Sequence, residues 1–153
     1  MVALAPVSAD TLAALVAGQG VAGPVLAYAA TPLLLETFGL SAADDEEAER
    51  TALQLAGLAA LIDTGRRLVV VSPEPYAADP EGSLGECTVP ALSGLTAVFA
   101  DGDDAAEAVA AARAAAAGMT VDAAWELPEV QRLLAEHELL WFGPEEAGTL
   151  LGG

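Results

Sequence analysis

"SAADDEEAERTALQLAGLAALIDTGRRLVVVSP", residues 41–73, carries two periodicities, and the fold is read from the change between them. In its first part Ala48, Ala52, Leu55, Leu58, Ala59 and Ile62 recur at three- and four-residue steps, the signature of one apolar helix face. Ser41, with Asp44 three residues on, approximates a capping box. Asp44, Asp45, Glu46 and Glu47 stand in the first turns, where the positive end of the helix dipole favours carboxylates. After Arg66 and Arg67 the helical period stops. Leu68, Val69, Val70 and Val71 are consecutive apolar residues, which suits a strand covered on both faces.

This alternation of strand and helix recurs outward in both directions. Upstream, "VALAP" leads to "SADTLAALVAG", with Ser8 placed to cap a helix and Gly18 or Gly20 to end it. "VLAYAA" leads to "TPLLLETFG", with Thr31 as N-cap, Pro32 at the first helical position and Gly39 as the stop. Downstream, "YAADPEGSLGEC" is rich in turn formers and reads as a loop. "TVPALSGLTAVFAD" reads as one or two strands, broken near Pro90 or Gly94. "GDDAAEAVAAARAAAAG" reads as a helix, with Asp103 or Asp104 as cap and Gly118 as stop. "TVDAAWELPEVQRLLAEHE" suggests a short strand over Val121–Trp125 and then a helix from Pro128. "LLWFG" reads as a strand and "PEEAGTLLGG" as a terminal helix turn.

Alternating elements of this kind predict a single domain over residues 1–153, of class α/β or α+β. Its sheet is expected to be mixed, with five or six strands covered by helices. Short connections favour parallel neighbours through right-handed crossovers, with an antiparallel pair available between Cys87 and Ala100.

Charge excludes several function classes. The chain has 23 acidic residues against 5 basic ones, for a formal net charge of −18, and all five bases are arginines. Direct nucleic-acid binding needs cations to neutralise phosphate, and an anionic membrane surface needs them equally. Such a charge suits a protein partner with a basic surface, and it also serves solubility. No apolar run approaches the length of a membrane span. The N-terminus has no basic segment before an apolar stretch and reads as the start of a folded domain. Cys87 is the only cysteine and can form no internal disulfide, which points to the cytoplasm.

The candidate sites each compete with a plain structural role. The acidic run at residues 44–49, with Asp44, Asp45, Glu46, Glu47 and Glu49, is a possible partner-binding patch. It lacks the alternating spacing and the glycine of a calcium loop, and helix-capping acids explain it without a metal. "DGDD" at residues 101–104 begins like such a loop, but its twelfth position is Ala112 where a glutamate is required. His137, the only histidine, lies between Glu136 and Glu138, and these three are weak candidates for acid–base work. "GQGVAG" at residues 18–23 follows a helix and opens a strand, the reverse of a dinucleotide fingerprint. No cofactor site and no metal motif are legible, and no catalytic residue can be assigned. Trp141 and Phe142 would point to opposite faces of a strand. That suits an interior strand; the alternative is an edge whose aromatic residues anchor a partner.

Taken in order, "VALAP", "AYAATP", "DDEEAERTAL", "RRLVVV", "AVFADGDDAAEAV" and "HELLWFGPEE" resemble a small actinobacterial family known only as a domain of unknown function. The resemblance spans most of the chain, and its C-terminal motif is the most specific part. It implies a compact cytosolic domain and supplies no activity or catalytic residue.

These observations favour a soluble acidic module that binds or regulates a protein with a basic surface and is not catalytic. Homo-oligomers are compatible with it. The alternatives are a small enzyme whose carboxylates and His137 converge only in the fold, and a structural subunit of a larger assembly.

Overall fold

A computed structural model describes residues 2–82 and 84–151. Met1, Ser83 and residues 152 and 153 lie outside it, and with them the outermost positions of the terminal segments and one position of the predicted loop. Among the described residues the order is β1 (Ala3–Pro6), α1 (Ala9–Val16), β2 (Val21–Tyr28), α2 (Pro32–Thr37), α3 (Asp45–Thr64), β3 (Leu68–Ser72), β4 (Ala77–Ala78), β5 (Glu86–Leu92), β6 (Val98–Ala100), α4 (Ala106–Ala116), α5 (Val121–Trp125), α6 (Pro128–Glu136), β7 (Leu140–Phe142) and α7 (Pro144–Ala147). Short 3₁₀ turns precede α4 and follow α7.

The strands form one sheet in the order β4-β5-β2-β1-β3-β6-β7. The mixed α/β class stands, but the sheet has seven strands where five or six were expected. Among the described residues every pairing is antiparallel, so the expected parallel crossovers are absent there. The connections explain this. Leu4 pairs with Tyr28, which sets Pro6 opposite Leu26 and leaves the first five residues of β2 projecting past β1. That overhang is about 17 Å long. The eight-residue α1 spans about 12 Å. Its Leu12 and Leu15 join the same buried cluster as Val89 and Leu92 of β5, and the chain returns through β2.

The sheet has helices on both faces. On one, Ala3, Ala5, Leu68, Val70 and Val98 meet Leu12 and Leu15 of α1 and Ala147 of α7. On the other, Leu4, Tyr28 and Val69 meet Leu34 of α2 and Ala52, Leu55, Ala56 and Ala59 of α3. Beyond α3, its Leu58 and Leu61 pack against Ala112 and Ala116 of α4 and Val130, Leu133 and Leu134 of α6. α3 is therefore covered from two sides, and burial is unbroken from Leu55 through Leu61. The expected single apolar stripe describes only its sheet-facing half.

Local chemistry sets the element ends. Ser8 accepts from the Thr11 amide at 3.1 Å, and Thr31 from the Leu34 amide at 3.2 Å. The stops predicted at Gly18, Gly39 and Gly118 all have positive φ. Only half of the capping box at Ser41 forms. The Asp44 carboxylate reaches back to accept from the Ser41 amide at 2.8 Å, but α3 itself begins only at Asp45, so the Ser41 hydroxyl caps no amide of the helix. The strand expected over Val121–Trp125 is helix α5, capped by Thr120, whose hydroxyl accepts from the Ala123 amide. Val121, Ala124 and Trp125 stand at i, i+3 and i+4, and all three meet the α3 side of the core. Trp125 meets Phe38 edge-on at 5.6 Å between ring centroids. The strand expected in "LLWFG" is β7, but it is the edge of the sheet and not an interior strand. Its apolar residues face both ways because α7 and the following turn cover only the Phe142 side.

Candidate functional site

A groove of about 470 Å³ opens on the α3 face of the sheet, between α3 and the β7 edge. Cross-strand register builds its floor. Leu4 pairs with Val71, Val69 with Phe99 and Phe99 with Trp141, so Leu4, Val71, Phe99 and Trp141 project from one face. α3 forms one wall with Glu46, Glu49, Arg50, Leu53 and Gln54. The turn from α6 into β7 forms the other with Leu134, His137, Glu138 and Leu139.

Arg67 closes the base and is 2% exposed. The register of β3 with β6 runs Leu68 to Ala100, so Arg67 and Asp101 stand opposite each other one step further along. The guanidinium Nε donates to both Asp101 carboxylate oxygens at 3.1 Å, and Nη2 adds a short charged contact to one of them. Nη2 also donates to the His137 carbonyl at 2.8 Å. One buried cation thus ties β3, the end of β6 and the entry to β7 together. Gly57 makes room for it. A Cβ there would lie 3.1 Å from Leu139 Cδ1 and 3.4 Å from Arg67 Cδ, so a helix-interior glycine serves the close approach of the arginine stem.

The rim is acidic. Arg50 reaches across the groove mouth to Glu138 at 2.5 Å, with both side chains more than half exposed. Arg67 is matched by Asp101 and Arg50 by Glu138. Among the described residues that leaves Glu46 and Glu49 in no ion pair, two uncompensated negative charges beside an apolar floor. Trp141 is 59% exposed and Leu140 48%, among the most exposed large apolar side chains in the described residues.

The predicted site residues separate. Glu46, Glu49, His137, Glu138 and Trp141 converge on this groove. Asp44, Asp45 and Glu47 lie outside its lining. Phe142 turns to the opposite face and packs on the α1 and α7 side. Glu136 lines a separate depression of about 300 Å³ between α4 and α6, together with Glu129, Arg132 and Asp104. His137 borders both hollows. Its Nδ1 is 3.8 Å from Asp104 Oδ2, an ion pair only when the imidazole is protonated. Its backbone does further work, since its amide donates to Leu133 and its carbonyl receives Arg67. Among the described residues no group of three or more His, Cys, Asp or Glu side chains is placed to hold a metal ion. Cys87 is buried on β5 away from the groove, and burial pushes its thiol up to about 11, the reverse of nucleophilic activation.

Sequence reasoning missed Arg67, Asp101, Leu53, Phe99 and Leu139. The signal for the ion pair was present as one charge at the start of one buried strand and another at the end of a second. Only the β3–β6 register brings them together.

The chain is thus of mixed α/β class, an antiparallel sheet with helices on both faces and a groove near its β7 edge. The chain belongs to a family of unknown function, DUF6912, whose model matches residues 1–151. No curated protein and no solved structure matches the chain. No helix among the described residues is long and apolar enough to cross a membrane.

Proposed function

We propose that this chain is a non-catalytic protein-binding module that takes a basic partner at the groove between α3 and β7. The observation that carries this is the exposed Trp141, set beside an apolar floor and the uncompensated Glu46 and Glu49. Aromatic anchors next to a desolvated pocket supply most of the energy in protein interfaces, and a charged rim supplies steering and register. The net charge of −18 draws basic partners from beyond contact distance and opposes direct binding to nucleic acid. The single buried free thiol suits the cytoplasm. Neither a cofactor nor a metal enters this mode of action, and a homo-oligomer could present several such grooves.

The test is affinity capture from extract of the native host, eluted in salt steps, with the native chain beside Trp141→Ser and Glu46→Gln/Glu49→Gln variants. One stoichiometric partner is expected. The glutamine pair should release it at lower salt, and Trp141→Ser should weaken it even at low salt. Capture that is identical for all three chains would remove the groove from the interaction.

A further inference from the structure

Resting on that reading, we propose that the partner enters as an extended basic segment that adds a strand to the free edge of β7. The sheet ends at β7, and among the described residues β6 is its only strand neighbour. In an antiparallel pair alternate residues turn their N–H and C=O groups away from the neighbour, so the outer side of the three-residue β7 carries backbone groups with no strand partner among the described residues. The two edges of this sheet differ. β4 is only Ala77 and Ala78, with Pro75 and Pro80 nearby, while β7 is three residues long and is followed by Gly143 and Pro144. Proline and short length are the usual protection of an edge. Both edges have that protection, and β7 differs in its side chains: it displays Leu140 and Trp141, large apolar groups left in water, where β4 displays two alanines.

The two faces of β7 state what the added strand must carry. Trp141 lies on the α3 side, so the side chains that an incoming strand points that way sit beside the indole, at the mouth of the groove that Glu46 and Glu49 line on its far wall. A long basic side chain satisfies both, with its stem on the ring and its charge at the carboxylates. Leu140 lies on the opposite face, so the alternate side chains of the strand are apolar. The segment is therefore basic on one face and apolar on the other. A second copy of this chain fits poorly as the occupant, because each copy carries a charge of −18.

The probe is a synthetic nonapeptide with blocked ends in which arginine alternates with valine, used with the full chain. Two analogues carry N-methyl groups at odd or at even positions, which removes the hydrogen-bonding edge on one side only. Binding is followed by fluorescence anisotropy, and amide hydrogen exchange is followed over residues 140–142. The parent peptide should bind and slow exchange at those amides. One analogue should bind at least tenfold more weakly while the other binds like the parent. Two analogues that both match the parent would overturn strand addition while leaving the groove as a docking site. A parent peptide that does not bind would overturn it too, and so would exchange at residues 140–142 already slowed by self-association of the free chain. The capture experiment above, with its groove variants, decides separately whether the docking reading fails.

Discussion

Arg67 and Asp101 show how a single pair can hold a site together. The arginine is 2% exposed, and taking one partner away strands a charge inside the protein. Breaking a buried pair in this way typically costs about 3–5 kcal/mol. Asp101→Ala should therefore lower unfolding stability by about that amount in denaturant titrations. It should also speed amide exchange in β7, because the guanidinium that holds the His137 carbonyl loses its anchor. A loss under about 1 kcal/mol would mean that the pair contributes little beyond its own desolvation. This pair was invisible in the sequence for a physical reason. Its members are 34 positions apart, and nothing local to either names the other.

At the scale of elements, local chemistry carries far. Thr31 is 2% exposed, and its hydroxyl accepts from the Leu34 amide. Thr31→Ala leaves that buried N–H unpaired and should cost about 1 kcal/mol, measured as a shift in the denaturation midpoint with an unchanged slope. The stop glycines, the caps of α1 and α2 and the course of α3 were all legible, because a cap acts within three or four residues. α5 was misread because "VDAAW" can be taken as short alternation or as one helical turn. Its helix is decided by Trp125 seating against Phe38. β7 was recognised as a strand and wrongly placed inside the sheet. A run apolar on both faces has the same pattern in an interior strand as in an edge strand that is half covered by α7.

For the whole molecule, charge and burial act together on stability. Burial holds the Cys87 thiol at about 11, above its ordinary 9.0. Burial, reinforced by Glu86, also raises Tyr28 above its ordinary 10.0. Both groups are neutral when protonated, and the folded chain keeps those protons to higher pH than the unfolded chain. Their contribution is therefore whole below pH 9 and is lost as pH rises through the folded values. Denaturant titrations from pH 8 to 11 should show falling stability, and Cys87→Ala should flatten the part of the slope between 9 and 11. An unchanged slope in that variant would assign the alkaline loss to other groups.

The sequence by itself determined the class of elements, most helix ends, the family and the surface charge. Periodicity, caps and composition act over a few residues, or over none. Tertiary structure alone decided that the sheet is wholly antiparallel, that β7 stands at its edge and that Arg67 meets Asp101. It also decided which acids share a groove with Trp141. Five candidates named from the sequence converge there, while Asp44, Asp45, Glu47, Glu136 and Phe142 do not. Strand order and register are contacts between distant segments. They are selected by how α3 is packed between the sheet and α4 and α6, and no local window of the chain contains that information.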